Sequence, residues 1–248
     1  MQIGLIIIGS ELLTGKRRDG HMTRAIETLA ERHLELDWAT YIGDDPPRLT
    51  AELKQAMQAG DLVFSFGGIG ATPDDHTRAA AANAAGLVLQ RHPQAALIIE
   101  ERFGENAYPQ RIHMAHLPAA ATLIPNPVNR IAGFSLGHVH FVPGFPQMAW
   151  PMMDWVLDTH YAHLNSGEGN IEQLYTLPGT SEGQLIAVMQ ALIDAHPMVK
   201  LSCLPHMDGD YRETELGLRG PAIQVSAAAE WLCARLDADS FSWRTRGG

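Results

Sequence analysis

Three glycines and two aspartates crowd into one short stretch, Gly67-Gly68-Ile69-Gly70-Ala71-Thr72-Pro73-Asp74-Asp75-His76-Thr77. Glycines let a backbone turn sharply and bring its N–H groups close to a ligand with no Cβ in the way. Thr72-Pro73-Asp74-Asp75 reads as a helix start, with Thr72 as N-cap, Pro73 as the first helical residue and Asp75 as its N3 partner. A strand, a glycine loop and a helix N-terminus together form a site for an anion such as phosphate. Each feature alone has a structural explanation. Glycines after a strand are often only a turn, and acids in a first helical turn complement the dipole, each by about 0.3–1 kcal/mol. Three glycines and TPDD in one loop favour a ligand site.

The paired acids set a condition on that site. Two carboxylates beside a phosphate repel it unless a divalent cation bridges them, with oxygen ligands suited to magnesium, or unless they accept hydrogen bonds from a ring or ribose. Adjacent residues in a helical turn point about 100° apart, so one of Asp74 and Asp75 faces the ligand, and spacing does not say which.

The surrounding elements fit this placement. Ile3 to Ile8 and Asp61 to Phe66 are short apolar runs that read as strands buried on both faces, and Leu36 to Ile42 as the strand between them in sequence. His21 to Arg32, Arg48 to Gln58 and Asp75 to Ala85 have helical spacing. Strands alternating with helices predict an α/β fold with a mostly parallel sheet, whose ligand loops lie at the carboxyl ends of the strands. The loops after Ile8 and Phe66 both qualify. Gly86 to Ala120 carries no clear pattern. Thr122 to Ile124 and Gly137 to Val142 read as further strands, and Gln147 to His163 as a helix. Asn165-Ser166-Gly167-Glu168-Gly169-Asn170 is the linker candidate. After it come a strand (171–177), a helix (184–195) with a Ser181/Gln184 capping box, two strands (199–204 and 212–219) and a helix (222–236), a small α+β unit.

Several segments, in order, resemble the competence/damage-inducible protein A (CinA) family of the molybdopterin-binding MoaB/MogA/MoeA superfamily. GGIGATPDDHT is similar to its GGxGxTxDDxT loop, Gly9-Ser10-Glu11-Leu12-Leu13-Thr14-Gly15 to GxELLxG, and Tyr41-Ile42-Gly43-Asp44-Asp45 to its V-G-D-D segment. Met114-Ala115-His116-Leu117-Pro118, Asn126-Pro127 and Val142-Pro143-Gly144-Phe145-Pro146-Gln147-Met148 parallel its MAxLP, NP and LPGxPxEM stretches. The resemblance implies a three-layer α/β/α molybdopterin-binding-like domain over 1–165, often oligomeric, and a small KH-like α+β domain over 171–248. The family's amidase-type domain is not expected, so nicotinamide mononucleotide deamidation is not carried over.

The resemblance also implies site residues. Asp44 and Asp75 match the superfamily's two ligand-site aspartates, which makes Asp75 the acid facing the site and Asp74 secondary, with Glu11 joining at the same sheet edge. Gly67, Gly68, Gly70, Thr72, Asp74, Thr77, Gly144 and Pro146 would contact the ligand. That ligand is molybdopterin or a related phosphorylated pterin, or a nucleotide. An alternative is a divalent-metal-dependent pyrophosphatase cleaving ADP-ribose-like dinucleotides, with Asp44 and Asp75 holding Mg²⁺ and Glu11 assisting. Departures fall around the site: Ala71 replaces a usual proline, His21 an asparagine, Asn129-Arg130-Ile131-Ala132-Gly133 a G-x-A-P-G stretch, and Gln147 the PGxPxEM glutamate.

Composition excludes several other functions. A net charge of −10 argues against nucleic acid and anionic membrane as partners. From Ser166 onward, 6 Lys and Arg face 11 Asp and Glu, and Gly179-Thr180-Ser181-Glu182-Gly183 is one residue longer than a GxxG loop and acidic, so RNA binding by the second unit is not expected. Oligomerisation or packing is its expected role. Cys203 and Cys233 form neither a CxxC pair nor a disulfide framework. The opening residues carry no basic leader or membrane-length apolar run, so a cytoplasmic protein is expected. His113 with His116 and His138 with His140 lack the neighbours of a zinc site. Lys16-Arg17-Arg18 reads either as a solvated turn or as a phosphate attractor beside the pocket.

Overall fold

Alternate residues of Ile3–Ile8 face opposite sides of a sheet, and both sides of this strand are apolar, so it is buried along its whole length. The computed structural model describes residues 1–165, 170–209 and 211–246. They fall into two compact units, Met1–Leu164 and Asn165–Gly248. The first begins Ile3–Ile8 (β1), Ser10–Leu13 (α1), His21–Ala30 (α2), Trp38–Ile42 (β2), Pro46–Ala59 (α3) and Leu62–Phe66 (β3). Thr77–Ala85 (α4), Leu89–Arg91 (β4), Pro93–Phe103 (α5) and His116–Pro118 (β5) follow. Thr122–Ile124 (β6), Gly133–Leu136 (β7), Val139–Val142 (β8) and Pro146–His160 (α6) complete it.

The main sheet runs β2-β1-β3-β8-β7-β6. β2, β1, β3 and β8 are parallel, and β7 runs antiparallel to both its neighbours. The carboxyl ends of β1, β2, β3, β6 and β8 therefore share one edge.

Two cores make the three layers. Ile6 and Ile8 pack with Leu49 and Leu53 of α3, Ala80 and Ala81 of α4, and Ile99 of α5. Ile3, Leu5 and Ile7 pack on the other face with Leu29 of α2 and Met152, Val156 and Leu157 of α6. Each fully buried aliphatic side chain contributes about 1.5–3 kcal/mol.

Two expectations need correction. The helix after the glycine loop starts at Thr77 with His76 at its N-cap, not at Pro73 with Thr72 as cap. The reason is local. The Asp75 carboxylate accepts from Thr72 N–H at 2.8 Å, as an N3 partner would, but the Thr72 hydroxyl also donates to that carboxylate instead of accepting as a cap, and Asp75 N–H closes the turn on Thr72 O at 3.0 Å. The patternless span 86–120 also holds α5, opened by His92 as N-cap and Pro93 at the first helical position.

The second unit is a four-stranded antiparallel sheet carrying two helices. Its elements are Ile171–Pro178 (β9), Glu182–Ala195 (α7), Lys200–Asp208 (β10), Tyr211–Gly220 (β11), Ala222–Ala238 (α8) and Arg244–Arg246 (β12). The strand order is β10-β11-β9-β12. Ser181 and Gln184 form the capping box of α7. Leu216, Leu218, Leu185, Leu192 and Leu232 form the core. Of the linker candidate, Ser166-Gly167-Glu168-Gly169 lies outside the described residues. No helix among the described residues is long and apolar enough to cross a membrane.

Candidate functional site

The edge shared by the parallel strand ends is built from backbone packed against backbone. Gly67 follows β3 with φ +103°, and a Cβ there would lie 2.7 Å from Ile8 O at the end of β1. Gly67 N–H donates to Val142 O of β8 at 3.0 Å. Gly68, at φ +68°, leaves no room for a Cβ because Thr77 Oγ1 would be 2.2 Å away. Thr77 is fully buried; its N–H donates to Gly68 O and its hydroxyl to Gly67 O, each at 3.0 Å. The first N–H of α4 is thus spent on the loop itself. A Cβ on Gly70 would meet Asp75 Oδ2 at 2.6 Å, so that glycine makes room for the acid.

Beyond this loop lies a cavity of about 400 Å³. Gly68 to Thr72 and Asp75 line it, and so do Pro143, Gly144, Phe145 and Met148 of the segment after β8. Asn126, Asn129, Ile131 and Ala132 also line it, together with Phe103 and Met114. Asn126 shapes the 126–131 segment: its Oδ1 accepts from Val128 N–H and its Nδ2 donates to Ile131 O, both at 3.0 Å. Among the described residues, no lysine, arginine or histidine lines the cavity. Apolar surface with a few polar groups suits a flat organic ring.

The residues expected from sequence divide between this cavity and its surroundings. Gly68, Gly70, Thr72, Asp75 and Gly144 line it. Gly67 and Thr77 support the loop from behind, and Pro146 begins α6. Asp74 is exposed, and its carboxyl sits below the usual carboxylate range through the Thr72 hydroxyl first. That hydroxyl has one proton to give, and its hydrogen bond goes to Asp75. Asp44 and Glu11 lie outside the lining. Asp44 Oδ2 accepts from Ser10 N–H at 2.9 Å while Asp44 N–H donates to Ser10 Oγ at 3.1 Å. The Glu11 carboxylate folds over Gly9, where a Cβ would be 2.8 Å from Oε2. Gln147 is exposed and outside the lining. Among the described residues no group of three or more His, Cys, Asp or Glu is arranged to hold a metal.

Two supporting residues act through backbone carbonyls; sequence reasoning missed Arg78 and marked His21 only as a departure around the site. Arg78 of α4 is buried and has no carboxylate in hydrogen-bond contact; its Nη2 donates to Gly70 O at 2.7 Å and its Nη1 to His116 O at 3.2 Å and to His113 O. It ties the glycine loop to the segment that carries Met114. Burial pushes its guanidinium below the ordinary value, against the pull of the Asp75 charge. The other is His21. It is buried, stacked on Phe66 at 4.4 Å, and accepts at Nδ1 from the Trp150 indole N–H at 3.3 Å. The proton therefore sits on Nε2, which donates to Gly144 O at 3.2 Å and holds that lining residue in place. The only sequence signal for Arg78 was an arginine inside an alanine-rich helix.

Burial lowers the His21 pKa, opposed by the Gly144 bond and the Asp19 charge. The unfolded chain therefore takes up a proton near pH 6.5 that the folded chain refuses until lower pH. The contribution is complete above that value and is lost as pH falls towards the lowered one. Thermal melts of wild type and His21→Asn between neutral pH and about pH 5 are expected to show the larger acid loss in wild type. Parallel losses would contradict it.

A family model described as "Probable molybdopterin binding domain" matches residues 4–195. The CinA-like protein of Geobacter sulfurreducens (strain ATCC 51573 / DSM 12127 / PCA) is 33% identical over 245 residues, 95% of this chain and 58% of that protein. That of Geotalea uraniireducens (strain Rf4) is 29% identical over 241 residues, 94% and 56%. The chain thus spans a little over half the length of these relatives. A crystal structure of the protein CinA from Thermoplasma acidophilum superposes with a TM-score of 0.59 at 26% identity, covering 64% of this chain and 98% of that one. The parallel-strand edge, its glycine loop and these matches lead to one assignment: the chain belongs to the molybdopterin-binding domain family and is similar to CinA-like proteins.

Proposed function

We propose that the cavity binds the ring of a phosphorylated pterin, molybdopterin or a close relative, with Asp75 reading its N–H edge. The observation that carries this is the Asp75 carboxylate on the cavity wall, with Oδ2 committed to Thr72 and Oδ1 left for a ligand. Gly68, Gly70 and Gly144 let backbone approach the ring, and Ile131, Phe145 and Met148 give it apolar contact. Family membership supports a pterin.

The ligand's phosphate has no cation in the cavity lining, and the chain's net charge of −10 opposes it at long range. Lys16, Arg17 and Arg18 are exposed, and none is ion-paired among the described residues. They precede His21, the residue bonded to Gly144 on the cavity wall. This run therefore attracts the phosphate, with the ring inside.

Asp75→Asn turns an acceptor into a donor and is expected to weaken pterin binding by about 1.5–3 kcal/mol, roughly ten- to hundredfold. Calorimetric titration with phosphorylated and dephosphorylated pterin reads this directly. Neutralising Lys16, Arg17 and Arg18 together is expected to weaken only the phosphorylated form. Wild-type affinity in Asp75→Asn would remove Asp75 from the site.

The pyrophosphatase alternative has less support, because Asp44 and Glu11 lie outside the cavity lining and Asp44 is engaged with Ser10. Release of AMP from ADP-ribose with magnesium, lost in Asp44→Asn, would favour it over the binding reading.

A further inference from the structure

At the opposite edge of the main sheet lies a second cavity, about 350 Å³, with a different character. Ser135, His138 and His140 of the β7–β8 hairpin line it, with Thr122 of β6. His160 and Tyr161 at the end of α6, His163 beyond it, and Met1 complete the side-chain lining. Among the described residues, no carboxylate lines it. Two acids of the flanking segments are engaged with other partners: Asp158 with Arg32 at 2.8 Å, and Asp61 with Gln2 N–H at 3.0 Å and the Trp38 indole at 3.2 Å. Asp61 and Lys54 line the neighbouring cavity on the other side of His138.

A chain of hydrogen bonds runs through this site. Ser135 Oγ is 2.8 Å from His140 Nδ1, His140 Nε2 is 2.9 Å from the Tyr161 hydroxyl, and that hydroxyl is 2.9 Å from His138 Nδ1. Each link needs one proton, so the chain has two self-consistent directions. In one, Ser135 donates to His140, His140 to Tyr161, and Tyr161 to His138. If His138 gains a proton, its Nδ1–H donates to Tyr161, Tyr161 to His140, and His140 to Ser135. No buried link is broken, but the Ser135 hydroxyl proton loses its acceptor. Ser135 is only 7% exposed and lines the cavity, so that proton needs a new acceptor there.

We propose that this cavity is a proton-linked site for a small oxyanion of the sulfate or phosphate class. The anion accepts from Ser135 and is held by protonated His138, with the exposed His160 and His163 as further donors on the lining. Tyr161 and His140 pass the reversal without changing charge. Burial pushes Tyr161 up to about 12, and burial with the neighbouring His160 and His138 pushes His140 down to about 3. A metal is the poorer occupant, because no group of three or more metal-binding side chains is arranged for one among the described residues.

Sulfate is the suitable probe, because its charge is constant across the histidine range. Calorimetric titration is expected to show binding at least about tenfold tighter near pH 6 than near pH 8, with about one proton taken up per sulfate. Proton uptake is read by repeating the titration in buffers of different ionisation heat. His138→Asn is expected to flatten most of the pH dependence, and Ser135→Ala to weaken sulfate binding near pH 6. If either variant is unfolded by circular dichroism, His160→Gln/His163→Gln, both at exposed positions, is expected to weaken sulfate binding near pH 6. Three results would overturn the site: no binding near pH 6, equal affinity at both pH values, or wild-type binding in the folded variants, which would locate sulfate elsewhere, for example on Lys16-Arg17-Arg18.

Discussion

Gly67→Ala is expected to destabilise the first unit by about 2–5 kcal/mol and to abolish ligand binding with it. Two costs add. At φ +103° a residue with a Cβ is strained by about 1–2 kcal/mol. The new methyl would also sit 2.7 Å from Ile8 O, a contact that costs about 1–3 kcal/mol to relieve. Ile8 cannot retreat, because β1 is held between β2 and β3 and Gly67 is bonded to Val142 of β8. Gly86 supplies the control. It also has positive φ, +67°, but a methyl there would have nothing within 4 Å, so Gly86→Ala carries the conformational cost alone. Urea denaturation of the two variants measures the difference. Equal losses would show that the Ile8 contact is not a constraint.

Arg78→Met is expected to cost about 2–4 kcal/mol of stability, because a buried arginine's three carbonyl partners lose a charged donor. Its larger effect is on the site. Without the guanidinium, Gly70 is no longer tied to the 113–116 segment, and two cavity walls move independently. Arg78→Lys is not a rescue, because one ammonium cannot reproduce a planar fork that reaches Gly70 with one arm and His113 and His116 with the other. The expected result is loss of pterin binding in both variants, with part of the stability kept by the lysine. Full binding in Arg78→Lys would reduce Arg78 to a simple counter-charge.

The sheet was legible because its signal is strong and local. Ile3–Ile8 is apolar on both faces, and the structure's strand has the expected bounds. α5 was not legible, since its buried face is mostly Ala95, Ala96 and Ile99 while Leu97 is exposed, which blurs the period. The helix start at Thr72 failed for a different reason. Thr and Asp three apart can cap in either direction, and here Asp75 takes the Thr72 N–H while the glycine loop claims Thr77. That choice is set by Gly67 and Gly68 packing against β1 and Thr77, a contact that sequence spacing does not contain.

The site was legible in part for the same reason. Motif residues mark the loops at the sheet edge, and Gly68, Gly70, Thr72, Asp75 and Gly144 meet at one cavity. The apolar walls at Phe103, Met114 and Ile131 come from segments that converge only after folding. Arg78 and His21 act through backbone carbonyls, and no residue spacing announces a bond to a distant carbonyl.

The most direct test is the intrinsic fluorescence of a phosphorylated pterin titrated with the folded protein, run beside Asp75→Asn. Saturable quenching is expected, with at least roughly tenfold weaker affinity in the variant. No quenching by folded wild-type protein, or identical curves for the two, would contradict a pterin site on Asp75.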